Sequence, residues 1–204
     1  QSAKVIPTPE DIELIVPNPK EPRYSYATSK LVSEVLTLNY LHSGRINNAC
    51  IFRPHNVYGP DMGFKHVIPQ FLERAIKISD KNFNEDFTIF GNGEETRAFC
   101  FVEDIVDGLM ILLEKSDNGE IYHIGSEDEI SINELFHSIN LIFDNRLKAI
   151  HSDGFSGATS RRCPSISKMK NLGYSPKYSL NSGIELTYEF YKNVNFEDNM
   201  NSLA

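Results

Sequence analysis

Cationic side chains are in short supply in this sequence: 20 lysines and arginines face 28 aspartates and glutamates over 204 residues, a formal net charge of −8 at pH 7. That deficit argues against an electrostatic grip on nucleic acid or an anionic membrane, both of which need a basic surface. Any phosphate must instead be met by a few placed arginines. Cysteine is scarce too. Cys50, Cys100 and Cys163 are odd in number, far apart and without ligand spacing, so neither a disulfide framework nor a metal site is expected, and a reducing cytoplasm suits them. No apolar run approaches the roughly 18 residues of a membrane span, and Gln1-Ser2-Ala3-Lys4 has no signal-peptide core. Internal repeats and low-complexity tracts are lacking as well. The chain does not open on methionine, and the expectation is that it begins inside a longer polypeptide. With 40% hydrophobic and 24% charged residues, the length suffices for one sizeable core or two small ones.

What is present alternates between helical and strand patterns. Residues 3–24 carry Pro7, Pro9, Pro17, Pro19 and Pro22 among acidic residues, which predicts an extended surface loop. A helix is expected over residues 25–43, with Leu31, Val32, Val35, Leu36 and Leu38 as the stripe that docks on a sheet and Gly44 as a left-handed cap. A short buried strand at 48–53 after that helix suggests a parallel sheet. The turn-rich loop Pro54–Gly63 lies at the carboxyl end of that strand, where open α/β sheets bind ligands. The pattern then predicts a helix at 68–78, a strand at 88–90, a Gly91-Asn92-Gly93 turn, a strand at 97–102 and a helix at 103–114. A strand at 120–124 follows, and Ser131-Ile132-Asn133-Glu134 is a capping box opening another helix. A strand at 147–151, a short helix at 165–171 and a last helix at 180–191 complete the list, with a polar, frayed tail over 193–204. The fold class expected is α/β.

The stretch around which the rest is arranged is Tyr24-Ser25-Tyr26-Ala27-Thr28-Ser29-Lys30. Tyr26 and Lys30 are four residues apart, on one helix face. An ammonium beside a phenol favours the phenolate, which brings a group that titrates near about 10 towards working pH and fits it for general acid or base work. The same spacing also occurs on many amphipathic helices that do no chemistry. Ser25, Thr28 and Ser29 read as cap and helix-face residues.

Taken with the Arg53-Pro54-His55-Asn56-Val57-Tyr58-Gly59-Pro60 loop and the Gly91-Asn92-Gly93-Glu94-Glu95-Thr96-Arg97 turn, this helix resembles the extended short-chain dehydrogenases/reductases. More narrowly it resembles their NAD-dependent nucleotide-sugar epimerase/dehydratase family, which is UDP-glucose 4-epimerase-like, from about Ile6 to Tyr191. The resemblance implies a partial Rossmann-like parallel sheet with helices plus a small α/β substrate lobe. Residues 1–60 and 100–125 would be the remnant of the cofactor domain, and 61–99 and 126–192 the substrate lobe. It implies that Tyr26 takes a proton from a sugar hydroxyl as hydride leaves the same carbon for NAD, and that Lys30 holds the nicotinamide ribose. His55 would meet the carboxamide through its backbone. Asn56, Val67, Ile68, Phe90, Arg97 and Arg162 would contact the nucleotide sugar, the two arginines gripping its diphosphate. Tyr58, Gly59 and Pro60 read as turn architecture, and Asp104 and His123 as structural. Ser165 departs from the family pattern, which has an aspartate there, so a hydroxyl replaces a charge.

The family's glycine-rich Gly-x-x-Gly-x-x-Gly turn, which lays pyrophosphate on a helix N-terminus, does not occur within residues 1–204. The sequence therefore reads as a carboxyl-terminal portion, with an amino-terminal half and the family's third catalytic hydroxyl expected upstream. Exposed apolar surface and possible pairing of the Tyr26/Lys30 helix with its twin in a homodimer are implied with it. Epimerisation at C4 is favoured, since it needs little beyond the Tyr/Lys pair. The alternative is a non-catalytic nucleotide-sugar-binding or protein-interaction module that has lost the cofactor domain, and a third reading is a simple reductase with net turnover of NAD(P)H. These 204 residues alone are expected to bind NAD weakly. Calorimetric titration tests this, and a micromolar dissociation constant would contradict it.

Overall fold

The computed structural model describes residues 5–16, 18, 20–22, 24–154, 159–194 and 196. Prolines keep the described part of the leading segment out of helix and sheet; among the described residues its one pairing is an isolated parallel bridge between Thr8 and Pro164. Helix α1 (Tyr24–His42) starts beyond Pro22, with the Tyr24 N–H donating to the Glu21 carbonyl and the Ser25 hydroxyl to that of Pro22. It stops at Gly44, whose φ of 70° lets its N–H and that of Arg45 turn back onto the carbonyls of Leu41 and Tyr40. Strands β1 (Ile51–Pro54) and β2 (Val57–Tyr58) precede α2 (Val67–Asp80), and β3 (Phe87–Phe90), β4 (Thr96–Ala98) and β5 (Cys100–Phe101) precede α3 (Val102–Lys115). Then come β6 (Ile121–Ile124), β7 (Glu129–Ser131), α4 (Ile132–Ile142), β8 (Ala149–Ser152), β9 (Arg161–Arg162), α5 (Ser167–Asn171) and α6 (Leu180–Tyr191).

The fold is α/β with mainly parallel pairing. β1 pairs with β6, β2 with β5 and β3 with β8, all parallel; β4 lies between antiparallel β7 and parallel β9. The capping box on α4 is present in full: the Ser131 hydroxyl accepts from the Glu134 N–H, and the Glu134 carboxylate accepts from the Ser131 N–H. The larger hydrophobic cluster joins α2, α4, α6 and β3 through Leu72, Phe87, Leu135, Ile139 and Ile184; the smaller one joins β6, α3 and α5 through Leu112, Ile124 and Met169. Gly183 lets α6 lie against the Tyr58 hydroxyl, since a Cβ there would collide with it, and that hydroxyl donates to the Leu180 carbonyl at 3.2 Å.

Three expectations are corrected. The single strand at 97–102 is two, because the Asn56 amide donates to the Ala98 carbonyl at 2.9 Å and the Asn56 carbonyl accepts from the Cys100 N–H at 3.2 Å. The chain is turned there, leaving one sheet after Ala98 and entering another at Cys100. The apolar stripe of α1 is not docked: the helix has no buried residue, and Val32, Val35 and Leu36 are about half exposed. The two strands β1 and β6 are too narrow a sheet to cover it. In the tail, Phe196 is packed against Phe64 and Tyr191; Asn195 and residues 197–204 lie outside the described residues.

Candidate active site

The four-residue spacing on α1 brings Tyr26 and Lys30 together as expected from helical geometry, with Lys30 Nζ 5.3 Å from the centroid of the Tyr26 ring. Tyr26 is 71% exposed. It stands between two open cavities. One, of about 730 Å³, is bounded by Tyr26, Lys30 and Glu34 of α1, by Phe52–Pro54 of β1 and by the leading segment Ile12–Val16. The other, of about 700 Å³, is bounded by Tyr26, His55, Asn56, His66, Arg161 and Arg162, among others.

β1 carries the loop that forms the floor between them. The His55 N–H donates to the Ile124 carbonyl at 2.9 Å, which prolongs the β1–β6 ladder by one residue, and the next residue, Asn56, turns at φ 41°. The left-handed region is one that asparagine tolerates better than most residues. One Asn56 amide hydrogen is engaged with Ala98, so its carboxamide is held at the cavity wall by β4.

Arg53 organises the polar side of the site and was not singled out by the sequence. Its Nε and Nη2 donate to the two carboxylate oxygens of Glu34 at 2.8 Å each, and Nη1 donates to the Glu10 carbonyl at 3.0 Å. A fork–fork pair of this kind fixes orientation as well as charge, so Arg53 ties α1, and Tyr26 with it, to the sheet and the leading segment. No local signal could have shown this, because Glu34 lies on a different element.

Behind Arg53 the rings of His55 and His123 meet edge to face with centroids 4.4 Å apart, and His55 Nε2 and His123 Nδ1 are buried without a partner. Burial, then His123 and then Arg53, push the His55 imidazole down to about 3; burial also lowers His123, against the opposing pull of Glu10. Both rings are therefore neutral near pH 7. The unfolded chain takes up protons below pH 6.5 that the fold refuses, so this contribution to stability is intact above 6.5 and declines as pH falls towards 3. Roughly 2 kcal/mol should be lost between pH 7 and pH 5. Urea unfolding across that range should show the decline, and His55→Phe should remove the share that the His55 imidazole contributes. An unchanged slope in the variant would rule out the imidazole as the cause.

The arginines are set by the sheet β7–β4–β9. Arg97 of β4 and Arg162 of β9 are register partners, and Arg162 Nη2 donates to the Thr159 hydroxyl at 3.2 Å. Burial, and next the Arg162 charge, pull the Arg97 guanidinium below its usual range. Two guanidiniums on register partners concentrate positive charge on one face of this sheet. Ser165, where the family pattern has an aspartate, has its hydroxyl 3.0 Å from that of Ser167.

The second cavity thus gathers Tyr26, His55, Asn56 and Arg162, with Arg97 one strand behind; Lys30 lies on the wall of the first. Val67, Ile68 and Phe90 are outside these walls. Val67 opens α2, Ile68 is a core residue with 1% exposure, and Phe90 ends β3 half exposed. The Arg74 guanidinium lies 5.8 Å from the Phe90 ring and 4.6 Å from that of Phe87. His66, at the start of α2 with no side-chain cap, borders the cavity together with Met62, and it opens the His66–Pro69 segment that the resemblance places along the nucleotide.

Residues 1–125 match the model of the NAD dependent epimerase/dehydratase family. UDP-N-acetyl-alpha-D-glucosaminuronate decarboxylase of Bacillus cytotoxicus is 30% identical over 92% of this chain and 59% of its own length. Among solved structures, UDP-glucose 4-epimerase with UDP-glucose from Thermotoga maritima matches with a TM-score of 0.77 at 28% identity, over 94% of this chain and 59% of that one. UDP-glucuronic acid 4-epimerase from Bacillus cereus, in complex with UDP-glucuronic acid and NAD, matches with a TM-score of 0.74 at 27% identity, over 90% of this chain and 56% of that one. The chain spans less than two thirds of the length of each.

Proposed function

Given that the chain belongs to the NAD-dependent epimerase/dehydratase family, we propose that it forms the proton-transfer and sugar-nucleotide-binding part of an enzyme acting on a nucleotide-diphosphate sugar. The observation that carries this reading is the cavity shared by Tyr26, His55, Asn56 and Arg162. It brings a phenol and the Arg162 guanidinium to one cavity, with Arg97 on the neighbouring strand, which suits a carbinol joined to a diphosphate.

The residues present fit the nicotinamide end of NAD: Lys30 and Tyr26 border a slot lined by Ile12, Leu14, Ile15 and Phe52, and His55 follows Pro54 at its rim, bordering the second cavity. NAD, when bound, supplies a hydride acceptor that returns the hydride to the same sugar carbon. Tyr26 accepts the proton of the sugar hydroxyl, leaving a keto-sugar, and later gives it back. Lys30 holds the ribose hydroxyls. Arg97, Arg162 and Asn56 hold the diphosphate. Val67 and Phe90 flank the nucleoside with apolar surface, and Ile68 contributes through its backbone. Epimerisation at C4 is the outcome we favour; the 4-epimerase activity in the names of the two structural relatives supports it.

On this reading residues 1–60 and 100–125 serve the cofactor and residues 61–99 and 126–192 the sugar nucleotide. The half-exposed Val32, Val35 and Leu36 support pairing of α1 with its copy in a second protomer. Three free cysteines support a reducing compartment such as the cytoplasm. No helix among the described residues is long and apolar enough to cross a membrane.

The test is nucleotide affinity. Arg97→Ala and Arg162→Ala should each weaken a nucleoside diphosphate about tenfold or more by calorimetry, since a charge-assisted bond is worth about 1.5–3 kcal/mol. The matching nucleoside should be little affected. If both variants bind the diphosphate as the native protein does, the cavity is not its site.

A further inference from the structure

β4 holds Arg97 with β7 on one side and β9 on the other. Side chains alternate across a strand, so the register sorts this small sheet into two faces. Arg97, its partner Arg162 and its other partner Ile130 share one face. Thr96, Ala98, Glu129, Ser131 and Arg161 share the other. On that second face Glu129 reaches across β4. Its Oε1 accepts from the Thr96 hydroxyl and from Arg161 Nε at 2.9 Å, and its Oε2 accepts from Arg161 Nη2 at 2.6 Å. The Arg161 bonds hold the Glu129 carboxyl below its usual range, with the Thr96 hydroxyl adding to the effect.

β9 has two residues and two register pairs, flanked by backbone bonds from the Thr96 N–H to the Ser160 carbonyl at 2.8 Å and from the Thr8 N–H to the Cys163 carbonyl at 2.9 Å. A slip of one residue would turn Arg162 to the Glu129 face and take it away from Arg97. The two guanidiniums also repel each other, so the face that carries them does nothing to hold β9 in place. The tie is on the opposite face, where a carboxylate from β7 grips a hydroxyl of β4 and a guanidinium of β9. The side chain of Glu129 is 16% exposed and that of Arg161 54%, so water reaches the bridge mainly from the Arg161 side.

We propose that Glu129 is a positioning residue for diphosphate binding: by bridging Thr96 and Arg161 it locks β9 in the register that sets Arg162 beside Arg97. Glu129 does not touch the ligand. Arg161, which also borders the cavity, is engaged by Glu129, so the two adjacent arginines have different partners. This rests on the reading of Arg97 and Arg162 as diphosphate ligands.

The experiment titrates the protein with UDP, dTDP and GDP, takes the tightest binder, and uses its nucleoside, followed by NMR shifts, as the uncharged reference. Glu129→Ala should weaken the diphosphate about tenfold and the nucleoside less than about twofold, the pattern of a lost charge-assisted contact. In an Arg162→Ala background the same change should add less than about twofold, because a residue acting through Arg162 cannot act twice. Glu129→Gln keeps the size and one acceptor, and should give a smaller loss in the same pattern if the alanine variant folds poorly. Losses that add, or that fall equally on nucleoside and diphosphate, overturn the positioning role alone. If Arg97→Ala and Arg162→Ala have no effect on diphosphate binding, the site reading is wrong and this inference falls with it.

Discussion

Replacing Tyr26 by phenylalanine should lower turnover of a nucleotide sugar by two to four orders of magnitude, the range typical of a lost general acid–base group, or about 3–5 kcal/mol in the barrier. Substrate affinity should change little, about twofold, because the ring remains and the diphosphate contacts are elsewhere. The geometry gives the reason for the split. Tyr26 borders the cavity that holds Arg162 but contributes one hydroxyl to it, while Lys30 stays on the other side of the ring with nothing to replace the lost proton carrier. The chain covers 59% of the length of the two first-named relatives, so the assay belongs on the longest natural polypeptide that carries residues 1–204, supplied with NAD. Stopped-flow measurement of a single turnover separates the chemical step from product release. A variant whose single-turnover rate matches the native one would remove Tyr26 from the proton transfer and leave the cavity as a binding site only.

The largest effect on stability is expected at Asp104. Its carboxylate is 1% exposed in the first turn of α3, and its two oxygens accept from the N–H groups of Lys177 at 2.8 Å and Tyr178 at 3.2 Å. Alanine there leaves two backbone donors in a buried place without partners and lets the segment between α5 and α6 lift from α3. At about 1–3 kcal/mol for each unsatisfied group, the loss should be roughly 3–4 kcal/mol, and the thermal midpoint should fall by about 10 °C for a chain of this size. Asp104→Asn keeps one acceptor and should lose about half as much. Differential scanning calorimetry of the two variants decides it; equal midpoints for alanine and native protein would show that water replaces the carboxylate.

How much of this was legible in the sequence depended on whether the signal was local. α4 was fixed by Ser131 and Glu134, whose capping box is a short-range event, and α6 by the pattern over 180–191, while its cap at Ser179 came only with the structure. Tyr26 and Lys30 needed only helical spacing. β2, β7 and β9 were missed because two or three residues carry no periodicity, and it is β9 that delivers Arg162. The break between β4 and β5 depends on Asn56, far upstream, and so does not show in the local alternation of 96–101. Arg53 was passed over for the same reason, since its partners Glu34, Glu10 and His123 come from three other segments. On α1 the stripe named the face that wants cover, and no property of the stripe could say whether anything is there to cover it.

The strand pairings carry one more consequence, for the speed at which the molecule can form. Among the described residues, every hydrogen-bonded pair of strands is separated in the chain by at least one helix, and no hairpin joins neighbours. Loop-closure entropy is therefore met in full before any ladder returns energy, so helices can collapse early while the strands wait for distant partners. In that interval the apolar edges of β1 and β3 have no mate, and a nascent chain is at its most vulnerable to association with other copies.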